Sequence, residues 1–311
     1  MIDFPIAEWL DDRSCLIWLE RHLHPDGFTC AHCGSPKRWL FRHQSHFPAY
    51  RCRNCEGDYT LLTGTIFENT RQRPATLVLL LRGIAMGEPT ARLARELGLS
   101  RTQLHPLRQR IQTNLNASAP TGVMMGITFE ADALYQHAGE NSTPHRDPAV
   151  TPQRRANKRR GHGTYANDRP PILSVVSRNT GEHRFWVCDH ADTRTCAALI
   201  AAHIPARRTR FYTDAWQSDR VSHPRHATVR HGMGAWARDD KGDGRREVHG
   251  NTCEGAGAAP RTSLRAFQGV HLQDVPLDVA TDEAMGNTTE VTSKLIRRMC
   301  IRPLAADTGY T

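Results

Sequence analysis

Apolar positions along the chain change their period near residue 122. Before that point they recur at helical spacing; beyond it they alternate or run together as strands do. Residues 1–25 carry Ile6, Leu10, Cys15, Leu16, Trp18 and Leu19, the pattern of one amphipathic helix that packs on the segments next in the chain. A second helical stretch covers residues 74–115. Pro74 suits a first helical position, and Leu77, Leu80, Leu81 and Ile84 form one face. Gly87-Glu88-Pro89 breaks it, Thr90 caps a short helix bearing Leu93 and Leu97, and Gly98 ends that helix. Ser100 with Gln103 then opens a third helix as a capping box, with Leu104, Leu107 and Ile111 facing inward. Pro106 inside it predicts a kink or a later start, since proline there removes a backbone bond at a cost of about 3 kcal/mol.

Turn formers at 116–122 mark a boundary. After it, residues 127–135, 171–177, 184–187 and 210–213 read as strands, 195–203 reads as a helix, and Glu254 opens a further helix-like segment. Periodicity alone gives a mixed α/β domain. Between the first two strands lie Arg154, Arg155, Lys158, Arg159 and Arg160, five cations in seven residues. They make either a solvated loop or a set of phosphate contacts that position without reading sequence. The loop from Asp239 to Gly244 is acidic, but an EF-hand register would put Lys241 and Gly250 where carboxylates belong. A turn is expected there, not calcium.

The polar side of the third helix changes the picture further. Arg101, Thr102, Gln103, Arg108 and Gln112 are expected to point outward, donors and acceptors suited to a major groove. Helix, short turn, helix is the pattern of a helix-turn-helix, although a plain helical bundle shares it. Lys plus Arg number 41 against 32 Asp plus Glu, a formal charge of +9, so nucleic acid is the leading partner. The 311 residues allow two or three domains.

Nine cysteines are an odd number, and four form Cys30-Ala31-His32-Cys33 and Cys52-Arg53-Asn54-Cys55, eighteen residues apart. Each pair makes a tight turn that aims two thiolates at one point, which is the spacing of a four-cysteine zinc site. Residues 39–41 and 50–51 would be short ribbon strands. Coincidental pairs or disulfides are the alternative, with His32, His43 and His46 as substitute ligands. The N-terminus shows no basic-then-apolar leader, and the apolar run 75–81 is too short to span a bilayer. A cytoplasmic protein with no membrane partner is expected.

Three carboxylates carry the candidate chemistry. Asp132 lies in Phe129-Glu130-Ala131-Asp132-Ala133-Leu134-Tyr135, Asp214 follows Phe211-Tyr212-Thr213, and Glu254 follows Asn251 by one helical step of three. Aspartates in apolar strands are costly unless partnered, and divalent cations are natural partners for phosphodiester chemistry. Three unrelated surface acids remain the other reading.

Together these residues resemble the DDE transposases of bacterial insertion sequences that carry an N-terminal zinc ribbon. The likeness rests on the ribbon cysteines, Phe129 to Asp132 with Tyr135-Gln136 and Ala138-Gly139-Glu140, the basic stretch 154–163, and Asn167-Asp168-Arg169-Pro170-Pro171. It continues in Tyr212-Thr213-Asp214 with Trp216, Arg225-His226-Ala227, Trp236-Ala237-Arg238-Asp239, and Arg246-Glu247-Val248-His249 with Asn251-Thr252 and Glu254-Gly255. It spans about residues 25–270. The resemblance implies an α/β, ribonuclease-H-like catalytic domain preceded by a zinc ribbon and a helix-turn-helix. Asp132, Asp214 and Glu254 would hold two ions of Mg²⁺ or Mn²⁺, supported by His249 and Asn251. Double-stranded DNA, as terminal inverted repeats and target, would be bound by a homo-oligomer associated with the nucleoid. The boundaries expected are 1–65 for the first helix and ribbon, 66–118 for the helix-turn-helix, 122–270 for catalysis, and 271–311 for a C-terminal segment.

The chain departs from that pattern at Ala133 and Ala215, where the family has carboxylates. Gly255-Ala256-Gly257-Ala258-Ala259-Pro260 makes a poor helix after Glu254, and Asp274, Asp278 and Asp282 stand where core apolar residues are expected. Two further readings therefore stay open: a decayed or repurposed copy that binds DNA without chemistry, and a zinc-ribbon transcription regulator.

Overall fold

Asp11 accepts the Ser14 amide at 2.8 Å and so caps the first described helix, α1 (Asp12–Leu23). The structure, a computed structural model, describes residues 11–44, 46–139, 163–167, 169–214, 223–229, 236–267 and 270–302. Next come β1 (Arg38–Gln44), β2 (Phe47–Cys52), β3 (Asp58–Thr60), α2 (Pro74–Ala85), α3 (Thr90–Leu97) and α4 (Arg101–Ala117). Beyond these lie β4 (Thr128–Tyr135), β5 (Ala138–Gly139), β6 (Pro171–Ser177), β7 (His183–Val187), α5 (Thr193–His203), β8 (Arg210–Asp214) and β9 (His226–Val229). The remaining elements are β10 (Ala237–Arg238), β11 (Val248–His249), α6 (Asn251–Ala266), β12 (Val270–His271), α7 (Val275–Gly286) and α8 (Ser293–Cys300).

The chain divides into two units, residues 1–118 with 288–311, and residues 119–287. In the first, β1, β2 and β3 form an antiparallel sheet in that order, with a register shift between Leu40 and Arg42. Leu19, Leu77, Leu80, Leu81, Ile84, Leu104, Ile111 and Leu115 are buried, joined by Ile296 and Met299 from α8. Pro74 opens α2, Gly98 closes α3 at φ +65, and Ser100 with Gln103 caps α4 in both directions. Pro106 does not end α4.

Arg108 and Gln112, expected outward, are turned in, at 4% and 3% exposed. With about 3.6 residues per turn, Leu104, Arg108, Ile111 and Leu115 share one stripe, so the packing of the leucines carries Arg108 inward with them. Its guanidinium donates to the Glu88 carbonyl, and Leu107, expected inside, is only half-buried. Arg108 is thus a packing residue of the helical unit, not an outward groove contact. Arg101, Thr102 and Gln103 stay exposed.

The second unit is built on a five-stranded sheet in the order β7-β6-β4-β8-β9. The β7/β6 and β6/β4 pairs are antiparallel, and β4, β8 and β9 are parallel. Alternation along the strands splits the core in two. Phe129, Ala131, Leu173, Val175 and Phe211 pack with Cys196 and Ile200 of α5, while Leu134, Ile172 and Phe185 pack with Leu264, Val275 and Val279. The fifth strand, His226-Ala227-Thr228-Val229, has too few apolar residues to announce itself in the sequence.

Residues 251–266 form α6 despite Gly255, Gly257 and Pro260, because the helix packs on β4 and β6 and buries Cys253 and Leu264. The C-terminal stretch is divided between the units: α7 belongs to the second and α8 to the first. Its acids have partners. Glu283 is buried and accepts the Phe185 amide at 2.8 Å, and the Ser263 hydroxyl donates to Asp282 at 2.6 Å. Burial, opposed by Ser263 and reinforced by the charge of Asp278, pushes the Asp282 carboxyl up to about 7. The folded chain then holds this proton where the unfolded chain, titrating near 4, has released it, so stability falls as pH rises from about 4 to about 7. At about 1.36 kcal/mol per pH unit the loss is at most roughly 4 kcal/mol, and Asp282→Asn is expected to flatten it in denaturant melts across that range.

No helix among the described residues is long and apolar enough to cross a membrane.

Candidate functional site

Both units gather candidate ligands. In the first, the sulfurs of Cys30, Cys33, Cys52 and Cys55 all lie within 4.8 Å of one another, with Cys30–Cys55 and Cys33–Cys52 at 3.6 Å. Four sulfurs about 2.3 Å from one zinc form a tetrahedron with edges of about 3.8 Å, so the spacing fits that ion. The hairpin turns assist: the His32 amide points at Cys30 at 3.4 Å and the Asn54 amide at Cys52 at 3.3 Å. Amide donation from Cys55 and Asn54 draws the Cys52 thiol down to about 6. The Gly57 amide opposes the change at Cys55, but the neighbouring Cys33, Cys30 and Cys52 push it up to about 12. Four thiolates this close need a cation between them, and the cluster could hold zinc. His32 is committed elsewhere, its ring 3.1 Å from the Asp58 carbonyl.

One further group of possible ligands occurs among the described residues, Asp239, Asp243 and Glu247. Asp239 accepts the amides of Lys241, Gly242 and Gly244 at 3.0, 2.7 and 2.8 Å, which makes it the anchor of the turn read from the sequence.

The second set lies on the sheet face that α6 covers. Parallel pairing puts Ala131 beside Thr213, and one more step in that register sets Asp132 beside Asp214. Neighbouring strands lie about 4.8 Å apart. Glu254 stands in the first turn of α6, exposed, its amide bonded to the Gly250 carbonyl at 3.0 Å. Burial raises the Asp132 carboxyl; Arg261, 3.6 Å away, and the Ala133 amide at 2.8 Å ease it, and the charges of Glu254 and Asp214 raise it further. The three carboxylates therefore share one field, and mutually repelling acids are the donor set that divalent cations neutralise. Their oxygens do not all meet within 4.8 Å. A pair of cations about 3.5–4 Å apart does not require them to, because each ion takes part of the set.

Two residues beneath these acids escaped the sequence reading. Glu130 is fully buried; it pairs with Arg178 and accepts the Cys253 amide at 2.8 Å. Arg178 also donates to the carbonyls of Glu247 at 2.7 Å and His249 at 2.6 Å, and lies 4.6 Å over the Tyr212 ring. His249 brings Nδ1 to 3.4 Å from Glu130; burial and then Arg178 lower its pKa, with Glu130 opposing. Asn251 opens α6 and is exposed. The available signal for Glu130 was its two-residue offset from Asp132, which puts both on one face. Arg178 had none. The basic residues Arg154, Arg155, Lys158, Arg159 and Arg160 lie outside the described residues.

Fold and site thus define a mixed α/β protein with a four-cysteine cluster in one unit and strand-borne acids in the other. No family model matches the chain. It is similar to an uncharacterized protein in the transposable element ISH50 of Halobacterium salinarum, 26% identical over 271 residues, which is 86% of this chain and 87% of that one.

Proposed function

We propose that the chain is a transposase that binds the terminal inverted repeats of an insertion sequence and carries out metal-dependent DNA end cleavage and strand transfer at Asp132, Asp214 and Glu254. The observation that carries this is the β4/β8 register, which makes Asp132 and Asp214 neighbours on the face where α6 brings Glu254. The ribonuclease-H-like reading is supported by three antiparallel strands, a helix, a parallel strand beside the first, and a closing helix. Similarity to a mobile-element protein over most of both chains supports the transposase role independently of the fold.

Asp132, Asp214 and Glu254 would hold Mg²⁺ or Mn²⁺. Such ions, when bound, supply activation of the attacking oxygen and stabilisation of the leaving one. The half-buried setting of Asp132 strengthens its pull on a cation, and Arg261 offsets part of the negative charge until one arrives. In the first unit, zinc would staple the hairpin as a ribbon. Exposed Arg101 and Gln103, in the first turn of α4, would meet the duplex, and residues 154–160 would add phosphate contacts in a homo-oligomer on DNA. End nicking and joining on duplexes carrying the inverted repeats that flank the gene, with Mg²⁺, tests the reading. Ala133, where the resemblance expects a carboxylate, favours a second one, binding without chemistry. A gel shift on those ends with no cleaved product selects it.

A further inference from the structure

The buried layer under the acids has an order of its own. Glu130 precedes Asp132 by two residues in β4, Tyr212 precedes Asp214 by two in β8, and Cys253 immediately precedes Glu254 in α6. Offsets of two along a strand keep the face, so Glu130 and Tyr212 sit one layer deeper than the acids, below each in turn. These three deeper residues are tied together. Glu130 accepts the Cys253 amide at 2.8 Å and pairs with Arg178, and Arg178 lies over Tyr212 at 4.6 Å. Two more donations from Arg178, to the Glu247 and His249 carbonyls at 2.7 and 2.6 Å, pin both ends of the strand segment that leads into α6. The Cys253 thiol adds a contact to the Ser174 hydroxyl of β6 at 3.3 Å.

We infer that Glu130 and Arg178 are positioning residues that set the spacing of Asp132, Asp214 and Glu254 for divalent cations; the inference rests on the transposase reading of those three acids. The chemistry supports the role. A first-turn helix amide has no partner within its own helix, and a carboxylate that takes it fixes where the helix starts. A fully buried carboxylate is retained only when compensated, and here a guanidinium does so while also donating to the Glu247 and His249 carbonyls just ahead of α6. Lysine could keep the charge but not the fork. Through Glu130 and Arg178 the start of α6 is tied to both β4 and β8.

Mn²⁺ binding to the purified full-length chain, followed by the loss of the free-ion paramagnetic resonance signal, tests this without DNA. Wild type is expected to take up Mn²⁺, Asp132→Asn to lose that uptake, and Glu130→Gln and Arg178→Lys each to bind about 10- to 100-fold more weakly. Zinc content and helix content should stay at wild-type values in all of them. Clamp variants that fold and bind Mn²⁺ as wild type does overturn the positioning role. If Glu130→Gln does not fold, Arg178→Lys, which leaves the buried charge compensated, decides alone by the same criterion. Uptake in Asp132→Asn equal to wild type, or none in wild type, removes the three-acid site itself, a different failure from the first.

Discussion

Asp132→Asn is expected to lower end cleavage and strand transfer by at least about 10³-fold while leaving binding to the same DNA ends within a few-fold of wild type. The size follows from the charge stabilisation a cation supplies at the transferring phosphoryl group, several kcal/mol, with each 1.36 kcal/mol worth about tenfold in rate. Asparagine keeps the shape of the side chain and one carbonyl oxygen, so β4 and its pairing with β6 and β8 should persist. Because Asp214 neighbours Asp132 in the sheet, Asp214→Asn should fall by a similar factor, and the double variant by little more, since the two act on one charge. Timed gels of nicked and joined products, with a filter-binding control, read both quantities. Variants that cut as fast as wild type would show that the chemistry lies elsewhere.

Removing zinc should undo the hairpin of the first unit. The apolar cluster there is small, Phe28, Tyr50 and Tyr59 with Cys30 and Cys52, so two of the candidate ligands are themselves part of the core. Structural zinc contributes about 10–16 kcal/mol of apparent binding energy in small modules of this kind, more than such a cluster can replace. Cys52→Ser, or a strong chelator, is therefore expected to abolish amide-exchange protection across residues 28–60 and to release one zinc per chain, with the second unit's sheet retaining its protection. Binding to DNA ends should fall with it. Full protection in a chain shown to contain no metal would mean the four thiols are structural without an ion.

Much of the second unit could be read directly because its strands are apolar runs bounded by turn residues: 171–177 is buried along its whole length, and its limits coincide with β6. The four thiols were equally legible, since a CxxC turn fixes local geometry without help from distant residues. The features that escaped depend on tertiary context. Arg108 looked like an outward base contact until the stripe of Leu104, Ile111 and Leu115 set its direction. The segment after Glu254 looked too rich in glycine for a helix, yet packing on β4 and β6 outweighs a propensity deficit of about 1 kcal/mol per glycine. Glu130 was hidden by its neighbour, because the sequence does not tell a buried acid that binds only protein from one that would bind metal.

The path of the chain has a bearing on truncated copies. Asn114 donates its side-chain amide to the carbonyls of Met299 and Ile301 at 3.1 and 3.0 Å, and Arg298 donates to Ser118 at 2.9 Å, at the point where the chain departs to build its second unit. A frameshift or premature stop anywhere in the intervening 119–287 thus strips the first unit of α8, and with it Ile296 and Met299. Broken copies of the gene would yield fragments fit for proteolysis and, under the transposase proposal, not surviving competitors for DNA ends.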